Sequence, residues 1–352
     1  MNLKKELTSR IKKIRARMEE QKIDAFLVQK PKNLLYLAGM ESGNMLLTPD
    51  EANLWVNELD YSNVNSSFKN YADFNIFPIR DYGKAKRIEA VGDYIKGLRP
   101  GNIGVENISF ASYGKLKQEL KSDLISGDII EKTRQVKSEY EIGLLRNSAG
   151  IGKIGLEKAY EVVGGGISEL DAVSEIEYAV RKAGSETPPF HEGALLASGS
   201  NAASIHAYAS DKKIREGEMV VVDLGARYRG YYSDMTRTIP IGKLNKDERK
   251  VLEFVKNLKS ETIDYIREGM KASDVHKFVE KRIKKLGYNF YHAAGHGIGL
   301  DVHELPSLGP DSDDVLKEGM VFTVEPGIYK AGKFGVRFED MVVLTGKGCE
   351  VL

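Results

Sequence analysis

MVVVDLGARYRGYYSDMTRTIPI, residues 219–241, decides how the second part of this chain folds. The valine run after Met219 reads as a strand buried on both faces. Ending such a strand in Asp223 carries a charge into an apolar layer, which is costly unless something compensates it. Asp234 lies eleven residues further on. A reversal at Tyr228-Arg229 sets Asp223 opposite Asp234; a reversal at Arg229-Gly230 shifts the register. Facing residues of an antiparallel pair have Cβ atoms roughly 4.5–5.5 Å apart, and like charges there repel. Two aspartates facing one another on an apolar hairpin therefore ask for a cation.

The stretch MVFTVEPGIYKAGKFGVRFEDMVVL (320–344) has the same grammar. Glu325 and Glu339 are symmetric about Gly332, a good turn residue, so two more carboxylates face one another. Asp223 to Glu325 is 102 residues, and Asp234 to Glu339 is 105. Helix landmarks recur at that spacing. Ser138 stands three before Glu141, a capping-box pattern, and Ile142, Leu145 and Ala149 continue a helix. Gly164-Gly165-Gly166 breaks it, without the strand-to-helix context of a phosphate loop. Ser168 and Asp171 then open a second helix that runs to Gly184. Further on, Asn245 and Glu248 open a helix that stops at Gly269, and Ser273 opens the next, which stops at Gly287. Ser168 to Ser273 is 105 residues and Gly184 to Gly287 is 103. Residues 135–352 thus read as two related halves, each made of helix, helix, then strands.

Ahead of them lies a smaller unit. Leu3, Leu7, Ile11, Ile14 and Met18 make one apolar helix face. Asp24-AFLV, MLLT (45–48), NLWV (53–56), FNIFPI (74–79) and NIGVEN (102–107) are strand-like, with a helical pattern between Gly83 and Leu98 and a break at Pro100-Gly101. Strands alternating with helices indicate a small α/β domain. The fold class is therefore α/β, with α+β character overall: an N-terminal domain of residues 1–130 and a C-terminal domain of residues 135–352 with an internal pseudo-twofold repeat.

Composition narrows the function. The 352 residues carry 52 Lys plus Arg against 51 Asp plus Glu, a net charge of +1. That balance argues against nucleic acid or an anionic membrane as the main partner. The single cysteine, Cys349, allows no internal disulfide, fits a reducing compartment and reads as packing. No apolar run approaches the roughly 20 residues of a membrane helix, and the first residues do not resemble a signal peptide. A soluble, cytoplasmic protein is the expectation. The Lys runs in 246–285 read as exposed helix faces, and His276 among them as a solvated surface residue.

HAAGHGIGLDVHELP (292–306) holds His292, His296 and His303, half of the six histidines. Gly295, Gly297 and Gly299 permit close backbone approach. Four carboxylates and one imidazole suit Mn²⁺, Co²⁺, Zn²⁺ or Fe²⁺. Two ions neutralise four carboxylates, and a dinuclear site can hold a bridging hydroxide as nucleophile.

VVVDLG, YYSDMTRT, AAGHGIGLDVHE, VFTVEPGIY and GVRFED, in that order, resemble the five ligand motifs of the pita-bread metallopeptidases. The resemblance covers residues 135–352; the N-terminal part resembles, more loosely, the creatinase-type domain of the proline-specific branch. It implies that Asp223 binds one of two divalent ions, that Asp234 and Glu339 bridge both, and that His296 and Glu325 complete the other. His206, in LLASGSNAASIHAY, matches the substrate-pocket histidine, and His303 the histidine that contacts the scissile peptide. Glu325 or a neighbouring histidine passes a proton to the leaving nitrogen, while Thr236 and Arg337 stand where they orient ligands. With the ligand set full, His191 and His292 have no assigned role. The implied activity is hydrolysis of the peptide bond preceding proline in Xaa-Pro dipeptides, with a homodimer as the working form. The alternative is an aminopeptidase P acting on longer peptides. Ser307, in HELPSLGP, stands where several prolidases have an arginine, and VNELDY (56–61) stands where related chains have a TDxRY-like segment. Methionine aminopeptidase, metal-free creatinase-like chemistry and a non-catalytic peptide-binding protein are the remoter readings, and metal analysis separates the last two from the rest.

Overall fold

The computed structural model describes residues 3–68, 74–80, 84–120, 123–188, 190 and 193–352; of 64–68 and 84–89 it describes only the backbone. Gly83 and His191 lie outside the described residues. The chain divides into two compact units, Met1–Thr133 and Arg134–Leu352. None of the described helices is long and apolar enough to cross a membrane.

The first unit opens with the helix Leu3–Glu20, which buries Leu7, Ile11, Ile14 and Met18 as their spacing predicts. A six-stranded sheet follows, in the spatial order Asn75–Ile79, Ala52–Asn57, Asn44–Leu47, Ala25–Val28, Ile103–Glu106, Leu124–Gly127. Asn44–Leu47 is antiparallel to both its neighbours, and the other pairs are parallel. The strand Leu124–Gly127 and the helices Pro31–Ala38, Glu58–Phe68 and Phe110–Leu120 have no counterpart in the sequence reading. Pro31–Ala38 shows why: it is two turns long and its start is held from a distance. The buried Glu106 carboxylate accepts from the N–H of Gln29 and Lys30 and from Asn33 Nδ2, each at 2.7 Å. Such a cap comes from 70-odd residues away; the local signals are only Pro31 at the first position and the left-handed Gly39 after the last, which loops carry as well.

The second unit is built twice over. The helix Glu139–Val162 starts in the expected capping box, Ser138 Oγ accepting from Glu141 N and the Glu141 carboxylate from Ser138 N. Ser168 caps Glu169–Lys182, and Asn245 caps Lys246–Tyr265. The fourth helix, Ala272–Lys285, corrects the reading of Ser273. Its cap is Lys271, with no side-chain bond, and Ser273 is buried within the first turn. Backbone makes a polar cap unnecessary there, since Ala272 N–H donates to Asp314 O at 2.9 Å. His276 is corrected too. It is 6% exposed and tilts against the Phe290 ring, centroids 5.1 Å apart. The lysines of this helix occupy its outer face, whereas Ala272, His276, Val279 and Ile283 form the buried stripe.

Backbone hydrogen bonds establish the internal repeat. Gly166 N donates to Ile214 O, Ile214 N to Ile167 O and Glu169 N to Lys212 O. Roughly a hundred residues on, Gly269 N donates to Leu316 O, Leu316 N to Met270 O and Ala272 N to Asp314 O. The strands of the halves are antiparallel: Met235–Pro240, Met219–Leu224 and Leu195–Ser198 in one sheet, and Glu304–Ser307, His296–Gly297, Val321–Val324, Asp340–Thr345 and Gly348–Val351 in the other. Lys246–Tyr265 and Ala272–Lys285 pack Val251, Val255, Leu258, Val275, Val279 and Ile283 onto Phe322, Val324, Val342 and Leu344 of the second sheet. Each such side chain contributes roughly 1.5–3 kcal/mol on full burial, enough to fix where those strands end. Cys349 packs half-buried against this core, and burial pushes its thiol up to about 12.

Candidate metal centre

The first hairpin turns at Arg229-Gly230, both residues in the left-handed region at φ 49° and 86°. That pair of positive angles matches a two-residue primed turn, where Gly230 carries no Cβ penalty. Tyr231 pairs with Tyr228 and Thr236 with Asp223. Asp223 therefore faces Thr236, not Asp234, which corrects the register centred on Tyr228-Arg229. The shift is by two residues, so Asp234 stays on the same face as Asp223. The second hairpin has the expected register: Gly327 pairs with Arg337 and Val324 with Asp340, both centred on Gly332.

Four carboxylates and an imidazole converge where these hairpins end. Ligand atoms of Asp234, His296 and Glu339 all lie within 4.8 Å of one another. His296 Nε2 is 3.6 Å from Asp234 Oδ2 and 3.5 Å from Glu325 Oε1. Asp223 is close enough to hydrogen bond Asp234 and to raise its proton affinity. Asp223 Oδ1, Asp234 Oδ1 and Glu339 Oε1 are all buried without a hydrogen-bond partner among the described residues. Three orphaned carboxylate oxygens in one place are costly, and a bound cation removes that cost.

The electrostatics agree. Burial, then the charges of Glu339, Asp223 and Glu325, push the Asp234 carboxyl well above its ordinary range. Burial and Glu339 do the same to Glu325. Burial and Asp223 push Glu339 up to about 7. The imidazole moves the other way: burial and the neighbouring His303 lower His296 to about 3, leaving it neutral and able to bind a metal.

Neighbours hold these groups in place. Arg337, itself buried, donates from Nη2 to Asp223 Oδ2 at 2.6 Å, from Nε to Thr236 Oγ1 at 3.1 Å and from Nη1 to the Tyr329 hydroxyl at 2.8 Å. Thr236 Oγ1 donates to Glu339 Oε2 at 2.6 Å. Thr323 Oγ1 accepts from His296 N at 3.1 Å and donates to Glu325 at 3.4 Å. The halves are joined here: Glu339 N donates to Thr236 O at 3.0 Å, and Arg337 N to Thr238 Oγ1 at 3.0 Å. Gly295 and Gly297 let His296 in. A Cβ on Gly295 would sit 1.9 Å from Thr323 O, and one on Gly297 2.2 Å from Leu305 O.

The exposed His303 lies beside His296, ring centroids 4.0 Å apart and planes tilted by 48°. His206 is exposed on its loop and close enough to His303 and His292 to oppose protonation of each. Sequence reasoning passed over His292. Its Nδ1 is 2.8 Å from Ala293 O and 3.7 Å from Glu325 Oε2, and its buried Nε2 has no partner among the described residues. Burial, then Arg337, lowers it to about 3. Tyr329, edge-on to His292 at 5.6 Å, was missed as well. Glu304 follows His303 in the chain. It is buried between Arg134 and Lys137, at 2.5 Å and 2.8 Å, so the turn carrying His303 is anchored by a charged triad.

Comparison with known proteins places the chain. Residues 143–346 match Metallopeptidase family M24, and residues 10–136 match the creatinase/prolidase N-terminal domain. The Xaa-Pro dipeptidase of Pyrococcus furiosus is 33% identical over 352 residues, 98% of each chain. The solved Xaa-Pro dipeptidase of Bacillus anthracis superposes with a TM-score of 0.91 at 30% identity, over 98% of this chain and 97% of that one. The X-Pro aminopeptidase of Thermotoga maritima superposes with a TM-score of 0.84 at 29% identity, over 95% and 97%. With its creatinase-type N-terminal domain and its duplicated, pita-bread second unit, this chain belongs to metallopeptidase family M24.

Proposed function

We propose that the chain is an Xaa-Pro dipeptidase that works with two divalent ions. The observation that carries this reading is the meeting of Asp223, Asp234, His296, Glu325 and Glu339, with three buried carboxylate oxygens unpartnered among the described residues. In this reading Asp223 would hold one ion, His296 and Glu325 the other, and Asp234 and Glu339 would serve both. The donor set is oxygen-rich with one imidazole and no thiolate, which suits Mn²⁺ or Co²⁺, with Zn²⁺ or Fe²⁺ next. The ions supply water activation and carbonyl polarisation.

The chain's own residues do the rest. Arg337 and Thr236 hold Asp223 and Glu339 in one orientation, so no reorganisation is needed when substrate arrives. His303, beside His296 and open to solvent, is placed to contact the scissile peptide. Glu325, with His292 beside it, is placed to hand a proton to the leaving nitrogen. An Xaa-Pro bond is a tertiary amide without an N–H, so that nitrogen must be reached by a proton donor and not gripped as a donor itself. His206 lines the substrate side. We assign residues 1–130 as the creatinase-like domain and residues 135–352 as the catalytic one, in a cytoplasmic homodimer.

A second reading, aminopeptidase P, is favoured by Ser307, which leaves no arginine just after the His303-Glu304 turn, and by the similarity to the Thermotoga X-Pro aminopeptidase. The experiment is to strip metal, restore Mn²⁺, Co²⁺, Zn²⁺ or Fe²⁺ singly, and compare Xaa-Pro with Xaa-Pro-Xaa peptides. Free proline from the dipeptides supports the first reading. Removal of only the first residue from the longer peptides supports the second. A protein that binds none of these ions, by metal analysis, refutes both.

A further inference from the structure

A carboxylate outside the cluster ties down the loop that carries His206. Glu169 is the first residue of the helix Glu169–Lys182, and none of it is exposed. Its Oε1 accepts from Ser198 N at 2.8 Å and Ser198 Oγ at 2.7 Å. Its Oε2 accepts from Ser210 N at 3.1 Å and Ser210 Oγ at 2.7 Å. Asn201 Nδ2 bonds both oxygens, at 3.3 and 3.2 Å. Both ends of the 198–210 segment thus hang on one carboxylate, with His206 between them. A further tie comes from the ligand side, where Arg337 Nη1 donates to Ile205 O at 3.3 Å.

The internal repeat supplies a control within the same chain. Glu169 and Ala272 are equivalent: each is the first residue of its half's second helix, with its N–H on the carbonyl of Lys212 or Asp314. The second half starts that helix on Ala272, with no carboxylate at the position. A helix of this kind therefore does not need Glu169 to begin. What the carboxylate adds in the first half is the gathering of Ser198, Asn201 and Ser210, and bonds to an ionised acceptor are the strong ones.

We propose that Glu169 is a positioning residue for His206, a clamp that holds the 198–210 loop so that the imidazole stands at the substrate side of the carboxylate cluster; this rests on the Xaa-Pro reading. Glu169→Gln replaces one acceptor oxygen with an NH₂ that faces donors, so one end of the loop comes free while the side-chain volume stays.

The test uses the Mn²⁺-loaded full chain as wild type, Glu169→Gln, His206→Ala and the double variant, with an Xaa-Pro dipeptide. Glu169→Gln should raise KM by about 10-fold with kcat within about 3-fold, and should add less than about 2-fold to the loss already caused by His206→Ala. Amide hydrogen exchange across 199–209 should speed up, while the amides of Glu169–Lys182 keep their protection. Ser210→Ala, which removes one donor and keeps the charge, should move KM and exchange in the same direction by less, and stands in if Glu169→Gln does not fold. Losses that multiply in the double variant overturn the proposal. So does unchanged exchange in the loop, or loss of protection in the helix instead. If the wild type hydrolyses no Xaa-Pro peptide, the substrate reading fails by itself, and the exchange comparison still decides the clamp.

Discussion

Glu339→Gln should stabilise the metal-free protein at alkaline pH, the reverse of what losing a metal-site carboxylate does to the loaded one. Burial and the neighbouring Asp223 raise the Glu339 carboxyl from an ordinary 4.5 to about 7. Between those values the folded chain holds a proton that the unfolded chain has released. Stability of the metal-free protein therefore falls as pH rises through that window and stays reduced above it. The gap corresponds to about 3 kcal/mol at pH 8, at 1.36 kcal/mol per pH unit. Glutamine has no charge to lose and keeps an oxygen for the Thr236 hydroxyl, which now donates at 2.6 Å. In a unit of this size 1 kcal/mol moves Tm by roughly 2–4 °C, so the variant should melt roughly 6–12 °C above wild type at pH 8. At pH 5 both carry a neutral side chain there and should melt within a few degrees of one another. The assay is calorimetry of chelated protein at the two pH values, repeated with Mn²⁺. Metal should invert the order, since it stabilises only the chain that binds it. If Glu339→Gln melts below wild type at pH 8 without metal, the reasoning about crowded carboxylates is wrong.

Three further outcomes follow from the same contacts. Arg337→Met removes a buried cation that serves Asp223, Thr236 and Tyr329, and should cost about 3–5 kcal/mol in urea unfolding; a cost under about 1 kcal/mol contradicts its central place. Glu304→Ala should cost about 2–3 kcal/mol at neutral pH, because Lys137 loses its carboxylate partner while Arg134 keeps only the part-exposed Asp301 at 2.7 Å. Burial alone would raise Glu304, but Lys137 and Arg134 hold it below the ordinary carboxylate range. The stability it confers is thus full at neutral pH and should vanish on acidification below that range, which a pH series of unfolding midpoints checks. His276→Lys should cost about 2 kcal/mol or more, where a surface histidine would tolerate the change within about 0.5 kcal/mol, as measured by the unfolding midpoint.

The four helices of the second unit were legible because three of them start on a polar cap close in sequence, at Ser138, Ser168 and Asn245. Ser273 misled because Lys271 needs no side-chain cap when Asp314 O receives the next N–H. The hairpins were legible to the extent that a turn residue fixes register. Gly332 sits at the midpoint and the register is as read; Arg229-Gly230 competes with Tyr228-Arg229, and the left-handed angle at Gly230, with none at Tyr228, decides it. The carboxylates still meet, since strand parity survives a two-residue slip. His276 was misplaced because the Lys-rich composition of its helix outweighed its period, although 272, 276, 279 and 283 step along one face. His292 was passed over because a tally of ligands has no place for a residue that touches a ligand. Its position four before His296, next to Ala293-Ala294-Gly295, was the available signal. Glu169 gave none. Its partners at 198, 201 and 210 are brought together by tertiary structure.

The bonds from Glu339 N to Thr236 O and from Arg337 N to Thr238 Oγ1 have a mechanical consequence. They lash one repeat to the other at the very residues that face the carboxylate cluster. Any sliding shear between the repeats is thus transmitted, without a lever, into the spacing of the anionic groups, and cations lodged among them act as rivets. A chain pulled apart along that line should yield at higher force when loaded, and its yield point should depend on the radius of the ion.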